Sequence, residues 1–182
     1  MVKKIVIIGP ESTGKSTLCQ QLADHYRTLW CPEYAREYLL THGMNYTYDD
    51  LLTIAKGQLK LEDEYYERVR SKNSGSGATP FFIDTDMYVM KVWCEFVFQK
   101  CHSFILQQIV ARSYDLYLLC DVDLPWTKDE LREYPDLESR LVLFKMYRDI
   151  LINQDVPWRE INGLEDKRLA TAIGAVNNLI KA

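Results

Sequence analysis

The chain has 182 residues, 47% of them hydrophobic, with a formal net charge of −4 and an isoelectric point near 5.4. This length and apolar content suffice for one well-buried domain spanning residues 1–182 and are too small for two. The acidic balance excludes a general nucleic-acid-binding protein, and the lack of any apolar run near membrane-spanning length excludes a membrane-embedded one.

Strand and helix patterns alternate along the chain. Short runs that are apolar on both faces are typical of buried parallel strands, and apolar residues three or four apart are typical of amphipathic helices. We therefore predict an α/β protein, a parallel sheet of about five strands with helices on both faces and a short lid. Thr47 and Asp50 form a capping box before the longest helix. In chain order the first predicted elements are a strand at Lys4–Ile8, a helix from Ser16, a strand around Thr28–Trp30, and helices from near Tyr34 and over 47–72. Next come a loop over Ser71–Pro80, a strand at Phe81–Asp84, and helices over about Asp86–Phe98 and Ser103–Arg112. The last predicted elements are a strand at Tyr114–Asp121, a polar lid over about 122–135, a helix over about Leu137–Ile152, a strand at Val156–Ile161 and a helix over Leu164–Ile180.

The five cysteines are odd in number and show no C-x-x-C spacing. Such usage is typical of a reduced protein with buried thiols, so we expect a cytoplasmic location.

The first strand is followed by a phosphate-binding loop (P-loop). The pattern G-x-x-x-x-G-K-[ST] is matched in full by Gly9–Ser16, between the strand and a helix, as the motif requires. Backbone N–H groups of such a loop converge on phosphate, and the helix N-terminus adds its positive dipole end. Lys15 would reach the terminal phosphates, and the Ser16 hydroxyl would ligate Mg²⁺. The loop therefore predicts a nucleoside triphosphate site, formed by Gly9, Glu11, Ser12, Thr13, Gly14, Lys15, Ser16 and Thr17.

Two acidic residues, Asp84 and Asp86, stand at the end of the strand that begins at Phe81. P-loop enzymes place a carboxylate at such a strand end to orient Mg²⁺, and a buried carboxylate is costly without a cation nearby. The sequence favours this metal role for Asp84. For Asp86, the metal role and an N-cap of the following helix are about equally consistent.

Glu33, Tyr34 and Arg36 follow the second strand, where a ligand-binding crevice is expected in a sheet of this class. A carboxylate there could accept the proton of an attacking hydroxyl, and an arginine could hold a phosphoryl group. An ordinary helix start, with acidic residues in its first turn, explains the pattern equally well.

The polar segment over 122–135 contains Lys128 and Arg132, and Arg140 follows one turn into the next helix. Mobile cationic lids close over phosphates in phosphoryl-transfer enzymes, which gives Arg132 a candidate catalytic role. A solvated surface explains Lys128 better.

Flat side chains near the crevice could stack on a heterocycle, and Tyr34 and Trp126 are the candidates. Asn162-Gly163, after the last strand, could cradle a purine base, although the pair is also a common turn.

The chain resembles the ribosylnicotinamide kinase domain family of bacterial NAD-salvage proteins, over nearly its whole length. The resemblance rests on the P-loop and on Glu33–Glu37, Phe82–Asp86 and Trp126–Arg132. Members often carry a preceding adenylyltransferase domain and sometimes a helix-turn-helix. Because the P-loop begins at residue 9, we expect neither here.

The resemblance implies phosphorylation of nicotinamide riboside (NR) to nicotinamide mononucleotide, with ATP and Mg²⁺ as cofactors. It makes Glu33 a contact to the ribose 5′-hydroxyl, Arg36 a phosphate or substrate ligand, and Asp84 and Asp86 metal and ribose contacts. A cationic pyridinium would suit an acidic, aromatic-lined pocket. No nucleic-acid or membrane partner is expected.

Two alternatives remain open at the level of sequence. One is a kinase of another nucleoside or a nucleotide. The other is an ATP-binding regulatory switch with slow hydrolysis; a GTP switch is disfavoured because the chain has no N-K-x-D element.

Overall fold

The computed structural model describes residues 1–72 and 77–181. Within them, five parallel strands form one sheet in the order β2-β3-β1-β4-β5. The elements in chain order are β1 (Val2–Ile8), α1 (Lys15–Tyr26), β2 (Trp30–Cys31), α2 (Tyr34–His42), α3 (Tyr48–Lys72), β3 (Thr79–Asp84), α4 (Met87–Phe98), α5 (Ser103–Ala111), β4 (Leu116–Cys120), α6 (Leu137–Ile152), β5 (Trp158–Ile161) and α7 (Glu165–Lys181).

The predicted α/β class, with a parallel sheet of five strands, is confirmed. β2 is displaced from its predicted position around Thr28–Trp30. The Thr28 amide is already engaged, because it donates to the carbonyl oxygen of Ala23 at the end of α1. Pairing with β3 therefore starts at Trp30, opposite Phe82. The predicted loop at Ser71–Pro80 is shorter at both ends, which belong to α3 and β3, and its residues 73–76 lie outside the described residues.

The central strand β1 places apolar side chains on both faces of the sheet. Ile5 and Ile7 pack against α1 and α7, whereas Val6 and Ile8 pack against α3, α4 and α6. Burial of each such side chain stabilises the fold by about 1.5–3 kcal/mol. The two covered faces explain why β1 is apolar throughout its second half.

The capping box predicted from the sequence starts α3. The Asp50 carboxylate accepts the Thr47 amide at 2.7 Å, and the Thr47 hydroxyl accepts the Asp50 amide at 3.4 Å. Each partner satisfies one backbone donor of the first turn.

Across the two described stretches of chain, no helix has the length and apolar content needed to cross a membrane.

Two helix-interior glycines have opposite surroundings. A Cβ at Gly57 of α3 would lie 2.1 Å from Cε1 of Tyr34, so the glycine allows α2 to pack against α3. A Cβ at Gly174 of α7 would meet nothing within 4 Å.

We expect Gly174→Ala to raise the free energy of unfolding by about 0.5–1 kcal/mol, because alanine loses less backbone entropy in a helix. We expect Gly57→Ala to lower it, because the clash with Tyr34 costs about 1–3 kcal/mol and outweighs the same gain. Urea denaturation of both variants measures the difference. Equal stabilisation by the two substitutions would contradict the packing described here.

Candidate active site

A cleft of about 320 Å³ lies at the C-terminal edge of the sheet. The P-loop residues Gly9–Thr17 form its floor, and Glu33, Arg36, Asp84 and Arg132 also line it. The carboxyl ends of parallel strands meet at one edge, which is why segments distant in sequence converge here.

The P-loop needs glycine at two positions. Gly9 has φ 145°, and a Cβ there would lie 2.7 Å from the carbonyl oxygen of Cys120. Gly14 has φ 75° and immediately precedes α1. Inside the loop, the buried Thr13 hydroxyl donates to the Pro10 carbonyl at 2.7 Å. These constraints give the loop a fixed backbone.

Two buried arginines bind the P-loop without lining the cleft. Arg168 donates to the Thr13 carbonyl at 2.7 Å and to the Asp123 carboxylate at 2.5 Å. Arg140 donates to the Ser12 carbonyl at 3.3 Å. Engagement of two successive carbonyl oxygens restrains the loop, so a bound anion would not have to order it.

The carboxylate of Asp84 is buried at the centre of the cleft. One of its oxygens accepts a 2.5 Å hydrogen bond from the Ser16 hydroxyl, and the other, Oδ1, has no hydrogen-bond partner. Burial and the negative charge of Glu33 raise the pKa of Asp84 to about 6, against the opposing effects of Lys15 and Ser16. An unpartnered buried carboxylate oxygen is costly, and beside a hydroxyl it matches the donors that a hard cation prefers.

Lys15 and Glu33 both lie close enough to that carboxylate to act on its pKa, in opposite directions. Lys15 donates to the Pro10 carbonyl of its own loop at 2.9 Å, a neutral partner that a phosphate could replace. Glu33 accepts from the Thr85 hydroxyl at 3.2 Å. Thr85 has φ 81°, an unfavourable conformation for a β-branched residue, and such strain clusters at functional sites.

The lid is closed over the P-loop. The amides of Glu133 and Tyr134 donate to the Glu11 carboxylate at 3.0 and 3.1 Å, and the Thr127 amide donates to the Ser12 hydroxyl at 2.9 Å. Burial raises the pKa of Glu11, although these amide donors oppose the shift. Glu11, predicted to contact the nucleotide, here holds the lid.

Both predicted arginines of the cleft contact the lid. Arg36 pairs with Asp129 at 3.1 Å, and Arg132 donates to the carbonyl oxygen of Thr127. Because Arg36 is about half exposed, its ion pair is weak and can exchange for a phosphoryl oxygen.

The far wall of the cleft is aromatic and acidic. Its rings come from α4, from the lid and from α6, and carboxylates line the same cleft. Sequence reasoning missed this wall, because aromatic residues at helical spacing on α4 and α6 look like core. The rings are Trp93, Phe96, Tyr134 and Tyr147, and the lining carboxylates besides Asp84 are Glu11, Glu33, Asp129 and Glu133.

Four predicted residues do not line the cleft. The Tyr34 ring packs over Gly57 instead. Trp126 turns its indole N–H into a buried position without a partner. The turn after Asn162 is held by Asp123, whose carboxylate accepts the Gly163 amide at 2.5 Å.

Asp86 is the fourth predicted residue that does not line the cleft, and it caps α4. Its Oδ1 accepts the amides of Tyr88 and Val89 at 3.0 and 3.2 Å, and its Oδ2 accepts the Tyr117 hydroxyl at 2.8 Å. Burial raises its pKa to about 7. Since these donors occupy both oxygens away from the cleft, the capping interpretation replaces the ribose contact.

Sequence comparisons connect the chain with known proteins. The model of a family described as an AAA domain matches residues 4–168. The trifunctional NAD biosynthesis/regulator protein NadR of Salmonella typhimurium is 30% identical over 158 residues, and that of Escherichia coli is 31% identical over the same length. Each alignment covers 83% of this chain and 35% of the relative, so the chain spans about a third of these relatives. The resemblance to bacterial NAD-salvage proteins is confirmed.

Structure comparisons agree on the fold. A crystal structure of NadR protein in complex with NR has a TM-score of 0.75 and 22% identity, covering 100% of this chain and 51% of that chain. A NadR complex with NAD and AMP-PNP has a TM-score of 0.71 and 22% identity, covering 100% and 50%. Thymidylate kinase from Ehrlichia chaffeensis has a TM-score of 0.70 at 14% identity, covering 96% and 98%. These similarities establish a P-loop kinase-like fold.

Asp86 offers a stability test of its capping role. We expect Asp86→Ala to lower the free energy of unfolding by about 2–4 kcal/mol, because it leaves two helix amides and the Tyr117 hydroxyl without an acceptor. Asp86→Asn keeps an acceptor oxygen at the cap and should cost less. Urea denaturation measures both, and an Ala variant as stable as the parent would rule out the cap.

Proposed function

The chain belongs to the AAA domain family, and we propose that it transfers the γ-phosphoryl group of ATP to the 5′-hydroxyl of nicotinamide riboside. The observation that carries the proposal is one cleft with two chemically different halves. One half is the P-loop, and the other is the aromatic and acidic wall.

The donor half suits a triphosphate. The restrained P-loop, the N-terminus of α1 and Lys15 together supply amide donors and a positive charge for phosphate oxygens. The P-loop kinase-like fold and the NadR complex with AMP-PNP support ATP as the nucleotide.

The acceptor half suits a flat cation. Trp93, Phe96, Tyr134 and Tyr147 would offer faces for stacking and cation–π contact, and carboxylates line the same cleft. A pyridinium riboside carries that charge on a flat ring, and its ribose would extend toward Glu33. The NadR relatives and the solved NadR complex with NR support this acceptor.

Positioning explains most of the chemistry that we propose. Glu33 lies close enough to Asp84 to raise its pKa, so a hydroxyl bound at Glu33 would stand near the phosphoryl group above Lys15. Glu33 would accept the hydroxyl proton as the oxygen attacks in line. Arg36 and Arg132 would neutralise charge on the transferring group, and the closed lid excludes water that would otherwise compete.

Ser16 and the unpartnered oxygen of Asp84 fit a Mg²⁺ ion. Held there, the ion would neutralise charge on the β- and γ-phosphates. Asp84 would orient the ion, and the Ser16 hydroxyl would bind it directly.

A kinase of another nucleoside is the second candidate, since the aromatic wall would also stack on a neutral base. The regulatory ATPase remains the candidate from a different class. The aromatic and acidic wall (the acceptor wall) favours a kinase over it, because a switch has no need of a second half to its cleft.

Incubation with Mg²⁺-ATP and single nucleosides, with product masses read directly, tests the proposal. We expect nicotinamide riboside to gain one phosphoryl group. Phosphorylation of a different nucleoside alone would replace the acceptor and keep the kinase, whereas ATP consumption without any phosphorylated nucleoside would favour the switch.

Two neighbouring carboxylates make a matched pair for mutation. We expect Asp84→Asn to lower kcat at least about a hundredfold, the scale of one electrostatic contact in a transition state. Asp86→Asn, two residues away but outside the cleft, should change kcat less than about twofold. Steady-state kinetics on folded variants measures both. Full activity of Asp84→Asn would remove Asp84 from the site.

Lys15→Ala tests the donor half separately. Loss of the only P-loop side chain that carries positive charge should lower kcat/KM for ATP by at least about a hundredfold. The exposed Lys145→Ala on α6 is the control and should leave the kinetics unchanged. Equal activity of the two variants would contradict the role of Lys15.

A further inference from the structure

The hydroxyl of Tyr46 joins the acceptor wall to the lid. Trp93 Nε1 donates to Tyr46 Oη at 2.9 Å, and Tyr46 Oη donates to Glu133 Oε2 at 2.8 Å. Trp93 and Glu133 both line the cleft, whereas Tyr46 lies behind them. One hydroxyl therefore connects a fixed helix, α4, with the lid.

The direction of these hydrogen bonds is determined by chemistry. An indole N–H can only donate, so the Tyr46 oxygen must accept from Trp93. An ionised carboxylate can only accept, so the Tyr46 proton must point to Glu133. Burial raises the pKa of Tyr46, and the Glu133 hydrogen bond raises it further, so the hydroxyl keeps its proton.

The surrounding structure fixes the Tyr46 ring. In the chain, Tyr46 lies between Gly43, which ends α2 with a φ of 86°, and the capping box that starts α3. The ring packs edge-on against Trp93, with centroids 5.0 Å apart, and against Phe98 at 6.2 Å. Tyr46 thus stands on packed elements, while its partner Glu133 belongs to the lid.

Glu133 is consequently held at two points. Its amide binds Glu11 of the P-loop at 3.0 Å, and its carboxylate binds Tyr46. Without the second contact, the exposed carboxylate would be free to point into solvent.

We propose that Tyr46 is a positioning residue that holds the lid carboxylate of Glu133 beside Trp93, where this carboxylate selects an acceptor whose ring is positively charged. The inference rests on the proposed function for its substrate and adds to it a determinant of charge selectivity. Glu133 acts on the acceptor through its charge, and Tyr46 acts only through Glu133 and Trp93.

Three substitutions separate these roles. Tyr46→Phe keeps the ring and removes the hydroxyl. Glu133→Gln keeps an acceptor oxygen for Tyr46 and removes the charge. Tyr48→Phe is the control, because Tyr48 packs in the same aromatic cluster, on Phe98 and His102, and its hydroxyl makes no hydrogen bond within the described residues.

Nicotinamide riboside and its reduced dihydropyridine form differ in ring charge and little in shape. We expect Glu133→Gln and Tyr46→Phe each to lower kcat/KM about fivefold for the charged form, the scale of one partly screened charge contact. For the neutral form, kcat/KM should change less than twofold. The double variant should lose no more than Glu133→Gln alone, because both act through one carboxylate. Equal losses for both acceptors, or multiplied losses in the double variant, would overturn the proposal.

We call the hydrogen bond from Tyr46 to the Glu133 carboxylate the latch. Hydrogen–deuterium exchange of the free protein tests the latch without any acceptor. We expect amides over 129–135 to exchange faster in Tyr46→Phe, and to keep the parent rate in Glu133→Gln and Tyr48→Phe. Unchanged exchange in Tyr46→Phe would overturn the latch. If the parent phosphorylated neither riboside, the proposed function and its charge selectivity would fall together, and exchange would still decide the latch.

Discussion

The parallel pairing of β1 with β3 is the constraint on which the site depends. It sets Asp84 opposite Ile7, two residues before the P-loop, and so brings a buried carboxylate within 2.5 Å of the Ser16 hydroxyl. A shift of one residue in this register would turn Asp84 to the other face of the sheet. The side chains of β1 are close-packed on both faces, Ile5 and Ile7 on one and Val6 and Ile8 on the other, so such a shift would exchange side chains of different shape between two packed cores.

A second set of contacts holds the P-loop and the lid to this centre. Arg140 and Arg168 hold the P-loop from below, and Glu11 holds the lid from the P-loop. The carbonyl oxygens of Ser12 and Thr13 and the lid amides of Thr127, Glu133 and Tyr134 thus have partners inside the protein. Such preorganisation lowers the entropy that binding must overcome. It also explains how a lid without helix or strand adopts a defined position.

Local patterns predicted the parts of the site that adjoin a strand end. The P-loop and Asp84 each follow a buried strand, and the chemistry of a strand end is readable from a few consecutive residues. The capping box of Thr47 was readable for the same reason. Asp86 was undecidable from sequence, because a cap and a ligand both require a carboxylate at a helix start; only the position of the Tyr117 hydroxyl settles the choice.

The aromatic residues of the acceptor wall could not be predicted from local sequence patterns. Whether Trp93 faces the core or the cleft depends on how α4 crosses the sheet, and no local signal encodes this. Tyr34 illustrates the converse, since it follows a strand end yet packs on Gly57, a contact set by two helices that cross. Tertiary packing therefore decides the half of the cleft that we propose binds the acceptor.

A kinase of the kind that we propose delivers the phosphoryl group to a nucleoside hydroxyl and withholds it from water. Phosphorus NMR of one reaction with Mg²⁺-ATP and nicotinamide riboside follows both fates together. The account predicts a new phosphomonoester resonance that grows in equal amount with ADP, while inorganic phosphate stays low. Inorganic phosphate as the main product, with no phosphomonoester, would contradict it.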